Sequence, residues 1–234
     1  MAGHPLLHDM TNLRSVVIAT LVLVLSHRAH AQLWNSSNGT VWNNPTSSLV
    51  STMITGNMMQ QAMKDSFAQP GSARPGSAPA AKPHQPITKT DFAPSGKRVI
   101  VDALIGSLAK TPDQRQALST GVAQVFAVYE QKVRKNNVAY AMAFMAAMAV
   151  VADKGIVMTD QQSENLAIAF NDQLAANPAF AKAGALDRQK VYETFVTVGS
   201  LIALFNEVGK KDPSSAAAAK QLAGEAYKLL GLNR

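Results

Sequence analysis

The sequence predicts an all-α protein: a compact bundle of about six helices with a central apolar helix, residues 138–153, preceded by a disordered N-terminal arm. Three observations carry this. From Ile87 onward, apolar residues recur at spacings of three and four, the period of one helix face. "TPDQ" at 111–114 and "TDQQ" at 159–162 are capping boxes, which mark helix N-termini. Residues 138–152 carry no charge at all, and no stretch of the domain alternates as a half-buried strand does.

Residues 1–31 read as a secretory signal peptide. Arg14 precedes the apolar run "VVIATLVLVL" at 16–25, and "AHA" at 29–31 places small residues before the expected cleavage after Ala31. That run is too short for a permanent anchor, which takes about 20 apolar residues. A stable membrane span is therefore not expected after cleavage, and the expected destination is periplasmic or secreted. Residues 32–68 form a polar arm that opens with "LWNSSNGTVWNNP" and holds both tryptophans, Trp34 and Trp42. Further along it, "MITGNMMQQAMKDSF" has Met59, Met63 and Phe67 at helical spacing. Residues 69–86, rich in Pro, Ser, Gly and Ala, have a linker's composition and nothing with which to bury a core. The all-α domain then occupies residues 87–234.

The first helix is expected over 96–109, with Ile100, Leu104 and Leu108 on one side. Thr111, Pro112 and Gln114 start the second, which runs to about Lys135 with Leu118, Val122, Val125, Tyr129 and Val133 inward. Asn136 and Asn137 make the turn and cap the third helix, which ends near Gly155. A helix apolar all round belongs in the middle of a bundle. Residues 138–152 span only about 22 Å as a helix, short of the ~30 Å hydrocarbon core of a bilayer. The fourth helix starts at Thr159 and stops at "NP", 177–178, with Leu166, Phe170 and Leu174 apolar. Asp187 is expected to cap the fifth, where Val191, Phe195, Val198, Ile202 and Phe205 cover more than one face. Asp212 and Pro213 open the sixth, which carries Leu222, Tyr227, Leu229 and Leu230 and closes at Gly231.

A signal peptide, a Pro/Ser-rich spacer and an all-α domain with "NNVAYA" at 136–141 opening its central helix resemble a family of uncharacterised secreted bacterial proteins. In that family a C-terminal all-helical domain of unknown function fills the second half. The resemblance covers roughly residues 87–232 and implies bacterial export and a helical fold. It assigns no activity and no site residue.

The residue inventory excludes much chemistry. There is no cysteine, so disulfides, thiolate metal sites and cysteine nucleophiles are absent together. Of five histidines, His4, His8, His27 and His30 leave with the signal peptide, and His84 sits in the linker. A His-bound zinc or a Ser-His-Asp triad needs an imidazole held in the fold. No catalytic residue, cofactor or metal site is therefore expected. Met142, Met145 and Met148 suggest a Cu(I) ladder, since thioethers suit that ion. They drift around the helix by about 60° per step, and Met more simply fills irregular core space. Asp102 and Glu193 lie among apolar neighbours and are the only candidates for a carboxylate-based enzyme; each is expected on its helix's exposed edge. Without Arg14, Arg28 and Asp9, the 22 basic and 15 acidic residues become 20 and 14, a net +6. These charges are scattered, and "KVRK" at 132–135 complements a helix C-terminus, so no nucleic-acid partner is expected.

The expected role is a non-catalytic interaction or binding module with an unknown protein or apolar ligand as partner. The alternative is a carrier of an apolar small molecule or lipid between helices, with an enzyme third. The candidate contact residues are Asn136, Asn137, Tyr140, Phe144, Tyr192 and Phe195 on the bundle, with Trp34 and Trp42 on the arm.

Overall fold

Threonine and asparagine caps set the starts of α2 to α5 in the computed structural model of the chain, which describes Gln60 and residues 83–232. Both capping boxes form: Thr111 and Gln114 bond reciprocally at the start of α2, as do Thr159 and Gln162 at α4. The described helices are α1 (Val101–Leu108), α2 (Pro112–Lys132), α3 (Val138–Lys154), α4 (Asp160–Ala176), α5 (Pro178–Lys182), α6 (Ala185–Val208) and α7 (Pro213–Leu229). A 3-10 turn, Ile87–Thr90, precedes them. The expectations for the arm, including Trp34 and Trp42, lie outside the described residues; of the methionine-rich stretch only Gln60 is described, and it is helical and exposed.

Four boundaries differ from the sequence reading, each for a local reason. α1 begins at Val101 rather than Gly96, because Gly96 adopts φ +81° and side chains from α6 hold the following backbone out of the helix. α2 stops at Lys132, since Val133 is extended and Asn136 turns left-handed at φ 56°. "NP" does not end the helical region. Asn177 Oδ1 accepts from the N–H groups of Ala179 and Phe180, and Pro178 starts the short α5 in the one helical position where its missing N–H costs nothing. Asp187 does not cap α6; Gly184 is the N-cap, and Asp187 sits in the first turn, 3.1 Å from Lys190 Nζ.

The middle of the bundle is a pair of helices. In α3 every residue except Met148, Val151, Asp153 and Lys154 is buried. Beside it, α6 is buried from Val191 to Ile202 without a break. The two run the same way: the Asn136 end of α3 meets Tyr192, and Phe144 meets Gly199. Burying a methyl stabilises by only about 0.8 kcal/mol, so the alanines of α3 matter mainly by letting neighbours come close. A Cβ on Gly199 would lie 2.7 Å from Phe144 and 3.2 Å from the Met145 backbone. α7 folds back over both central helices, α4 covers the far side of α3, and α2 with α1 covers α6.

α6 is the described helix long and apolar enough to cross a bilayer, and 78% of that apolar window is buried by the other helices. Met142 and Met145 are fully buried in the common core, and Met148 is half-buried against it.

Candidate functional site

Residues 83–100 run as a strap across the bundle before α1, tied down by polar side chains that are exposed at its start and buried further along. His84 Nδ1 lies 2.6 Å from Asp172 Oδ2, and Asp172 Oδ1 accepts from the Gln85 N–H at 2.7 Å. Asn171 donates to the Gln85 and Pro86 carbonyls. The Thr90 hydroxyl lies 3.1 Å from Asn137 Oδ1 and 3.0 Å from Asn171 Oδ1, and its single proton serves either. Asn137 also caps α3 by accepting from the Tyr140 N–H, while its amide donates to the Ile87 carbonyl and to Asp91. Thr90, Asn137 and Asn171 are wholly buried, where an unmade bond costs about 1–3 kcal/mol. Their mutual satisfaction fixes the strap's register. Burial raises the Asp91 carboxyl, but hydrogen bonds from Arg134 and Asn137, together with the Arg134 charge, outweigh it and hold the group below its usual value.

The next stretch, 95–100, is held by two residues one turn apart on α6. Gln189 Oε1 accepts from the Ser95 N–H at 2.8 Å, and its Nε2 donates to the Lys97 carbonyl at 2.7 Å. Glu193 Oε2 accepts from the Val99 and Ile100 N–H groups at 2.7 and 2.9 Å, and Oε1 accepts from Gln189 at 2.8 Å. Glu193 is 0% exposed. The expectation of an exposed edge is wrong for it: the carboxylate sits inside, at the positive N-terminal end of α1, where backbone donors replace water. Asp102, in the first turn of α1, is exposed as expected.

Pinned this way, the strap, the end of α2 and the start of α6 enclose a cleft of about 330 Å³. Its walls include Phe92, Pro94, Lys97, Arg98, Glu130, Lys135, Asn136 and Tyr192. Glu130 uses both oxygens, Oε2 with Arg98 at 2.8 Å and Oε1 with the Tyr192 hydroxyl at 3.0 Å. Arg98 also stacks 3.9 Å from the Phe126 ring centre. Burial, then the charge and hydrogen bond of Glu130, pushes the Tyr192 phenol far above its ordinary range, so it stays a neutral donor. Lys97 and Lys135 are exposed and pair with no carboxylate among the described residues.

Of the residues singled out in the sequence, Asn136 and Tyr192 line this cleft, and Asn137 lies behind it as cap and strap anchor. Tyr140, Phe144 and Phe195 go elsewhere. The Tyr140 hydroxyl bonds to Glu164 at 2.7 Å, Phe144 packs on Tyr129 with ring centres 4.9 Å apart, and Phe195 is fully buried. Lys97, Arg98, Glu130, Lys135 and Gln189 were not singled out by sequence. The signal that could have found Gln189 is its four-residue spacing from Glu193, a polar stripe on an otherwise apolar helix. Lys135 was hidden by the expectation that α2 extends to it; the helix ends at Lys132, and the chain beyond carries Lys135 to the cleft.

The chain belongs to the family of unknown function DUF6683, whose family model matches residues 10–233. No curated protein matches the chain, and no solved structure does.

Proposed function

We propose that this member of the DUF6683 family is an exported bacterial protein acting as a non-catalytic binding module, with the cleft between strap, α2 and α6 as its contact surface. One observation carries this reading: the carboxylate that lines the cleft, Glu130, is engaged by the fold, whereas two of the cleft's cations are not. Glu130, the carboxylate that lines the cleft, is held in place by Arg98 and Tyr192, and Glu193 lies buried behind the strap with three N–H donors, so both have structural work in the fold. Lys97 and Lys135 remain available to a ligand. The aromatic side chains that an apolar carrier needs on a cavity wall, Phe144 and Phe195, instead fill the core. The charge and hydropathy pattern of residues 1–31 supports export.

The test is purification of the protein from its own host, N-terminal sequencing, and native mass spectrometry of the chain and of a Lys97→Ala/Lys135→Ala variant. The reading expects a chain starting at Gln32 and a bound species that the variant loses. An unprocessed N-terminus defeats the export half. A bound species retained equally by the variant defeats the assignment of the cleft.

A further inference from the structure

Resting on that reading of the cleft, we infer that its ligand is a small organic oxyanion: a carboxylate or phosphate group carried on a flat or apolar body. Three features converge. The first is charge, since Lys97, Arg98 and Lys135 line the cleft against Glu130 alone, and Glu130 is already matched by Arg98. The second is a surplus of donors. The backbone N–H groups of Gly96, Lys97 and Arg98 bond to no acceptor among the described residues, while both oxygens of Glu130 and the amide oxygen of Gln189 are occupied. A run of backbone N–H groups beside a glycine at φ +81° is the kind of surface that solvates an anion. The third is size and lining. About 330 Å³ lies at the lower end of small-molecule sites, and Phe92 and Pro94 give the ligand's body an apolar wall.

The strap supplies the donors, and Gln189 and Glu193 fix the strap before any ligand arrives. Preorganisation of that kind lowers the ordering cost of binding. Lys97 and Lys135 are exposed, so removing them leaves the fold intact and reports on binding alone.

The probes are benzoate and phenyl phosphate, with benzyl alcohol as the uncharged control and benzylamine as the cationic one. Each is titrated into the processed chain by calorimetry and followed at the backbone amides by NMR. Benzoate or phenyl phosphate is expected to bind, to shift the amides of Gly96, Lys97, Arg98 and Asn136, and to weaken as salt rises. The stronger of the two identifies which oxyanion the cleft prefers. Lys97→Ala/Lys135→Ala should weaken that binding by about tenfold, and Lys97→Arg/Lys135→Arg should keep it within about threefold. Three results overturn the inference: neither anion shifts those amides, the controls bind equally well, or affinity survives loss of both lysines. A host-derived ligand that is uncharged, yet lost from the double alanine variant, overturns the oxyanion and leaves the cleft standing as the contact surface.

Discussion

Replacing Glu193 by Gln changes one atom in the middle of the polar clamp between α6 and α1. The wild-type carboxylate accepts three hydrogen bonds, from Val99, Ile100 and Gln189, and is wholly buried. An amide keeps one acceptor oxygen. With that oxygen toward Val99 and Ile100, its NH₂ faces the Gln189 NH₂, donor against donor. Gln189 cannot turn over in response without losing its bonds to the Ser95 N–H and the Lys97 carbonyl. One buried bond is therefore lost at about 1–3 kcal/mol, and two others lose the strength that a charged acceptor gives them. The total expected is about 3 kcal/mol, a large part of a typical stability of roughly 5–15 kcal/mol. Urea unfolding of the purified protein, followed by helical circular dichroism, measures it as a lower midpoint at unchanged slope. A loss under about 0.5 kcal/mol is what an exposed-edge glutamate gives, and it refutes the clamp.

Three further outcomes follow from the packing and the caps. Gly199→Val pushes side-chain atoms into Phe144 and the Met145 backbone and should cost about 3 kcal/mol, whereas Gly224→Ala on α7, whose new Cβ meets open space, should add up to about 1 kcal/mol; thermal unfolding of the pair reads both signs. Asn137→Ala removes the α3 cap and the bonds to Ile87 and Asp91, about 3 kcal/mol together, and should speed hydrogen exchange at the Phe92 amide, which bonds to the Asn136 carbonyl. At α7, the side-chain hydrogen bonds of Ser215 and Ser214, helped by their N–H groups, pull the Asp212 carboxyl down to about 2. Its folded value lies below the unfolded one, so its stabilisation is present above about pH 4 and is lost as pH falls toward 2. Asp212→Asn should therefore flatten the acid limb of a stability-versus-pH curve, and an unchanged limb contradicts the cap.

The helices were legible because their signals are local. Thr111, Thr159, Asn137 and Asp212 announce starts through bonds made within three residues, and the structure contains each of them. The uncharged run of α3 likewise announced its burial. What escaped depends on contacts distant in the chain. Glu193 looks like any surface glutamate until α1 arrives from some ninety positions earlier to give it donors. Central α6 was harder to see than α3, since its Gln189, Glu193, Thr194 and Thr197 dilute the apolar signal although all four are buried. The cleft was invisible for the same reason: Lys97, Lys135 and Tyr192 share a wall only because polar bonds from α3, α4 and α6 draw the strap across the bundle.

Native-state hydrogen exchange at residues 142–149 of α3, in buffer free of lipid and detergent, tests the buried helix pair most directly. Enclosure by α4, α6 and α7 predicts that these amides exchange only when the whole bundle unfolds, with an opening free energy equal to that from urea. Exchange as fast as in the outermost turns, or protection that develops only after liposomes are added, contradicts it.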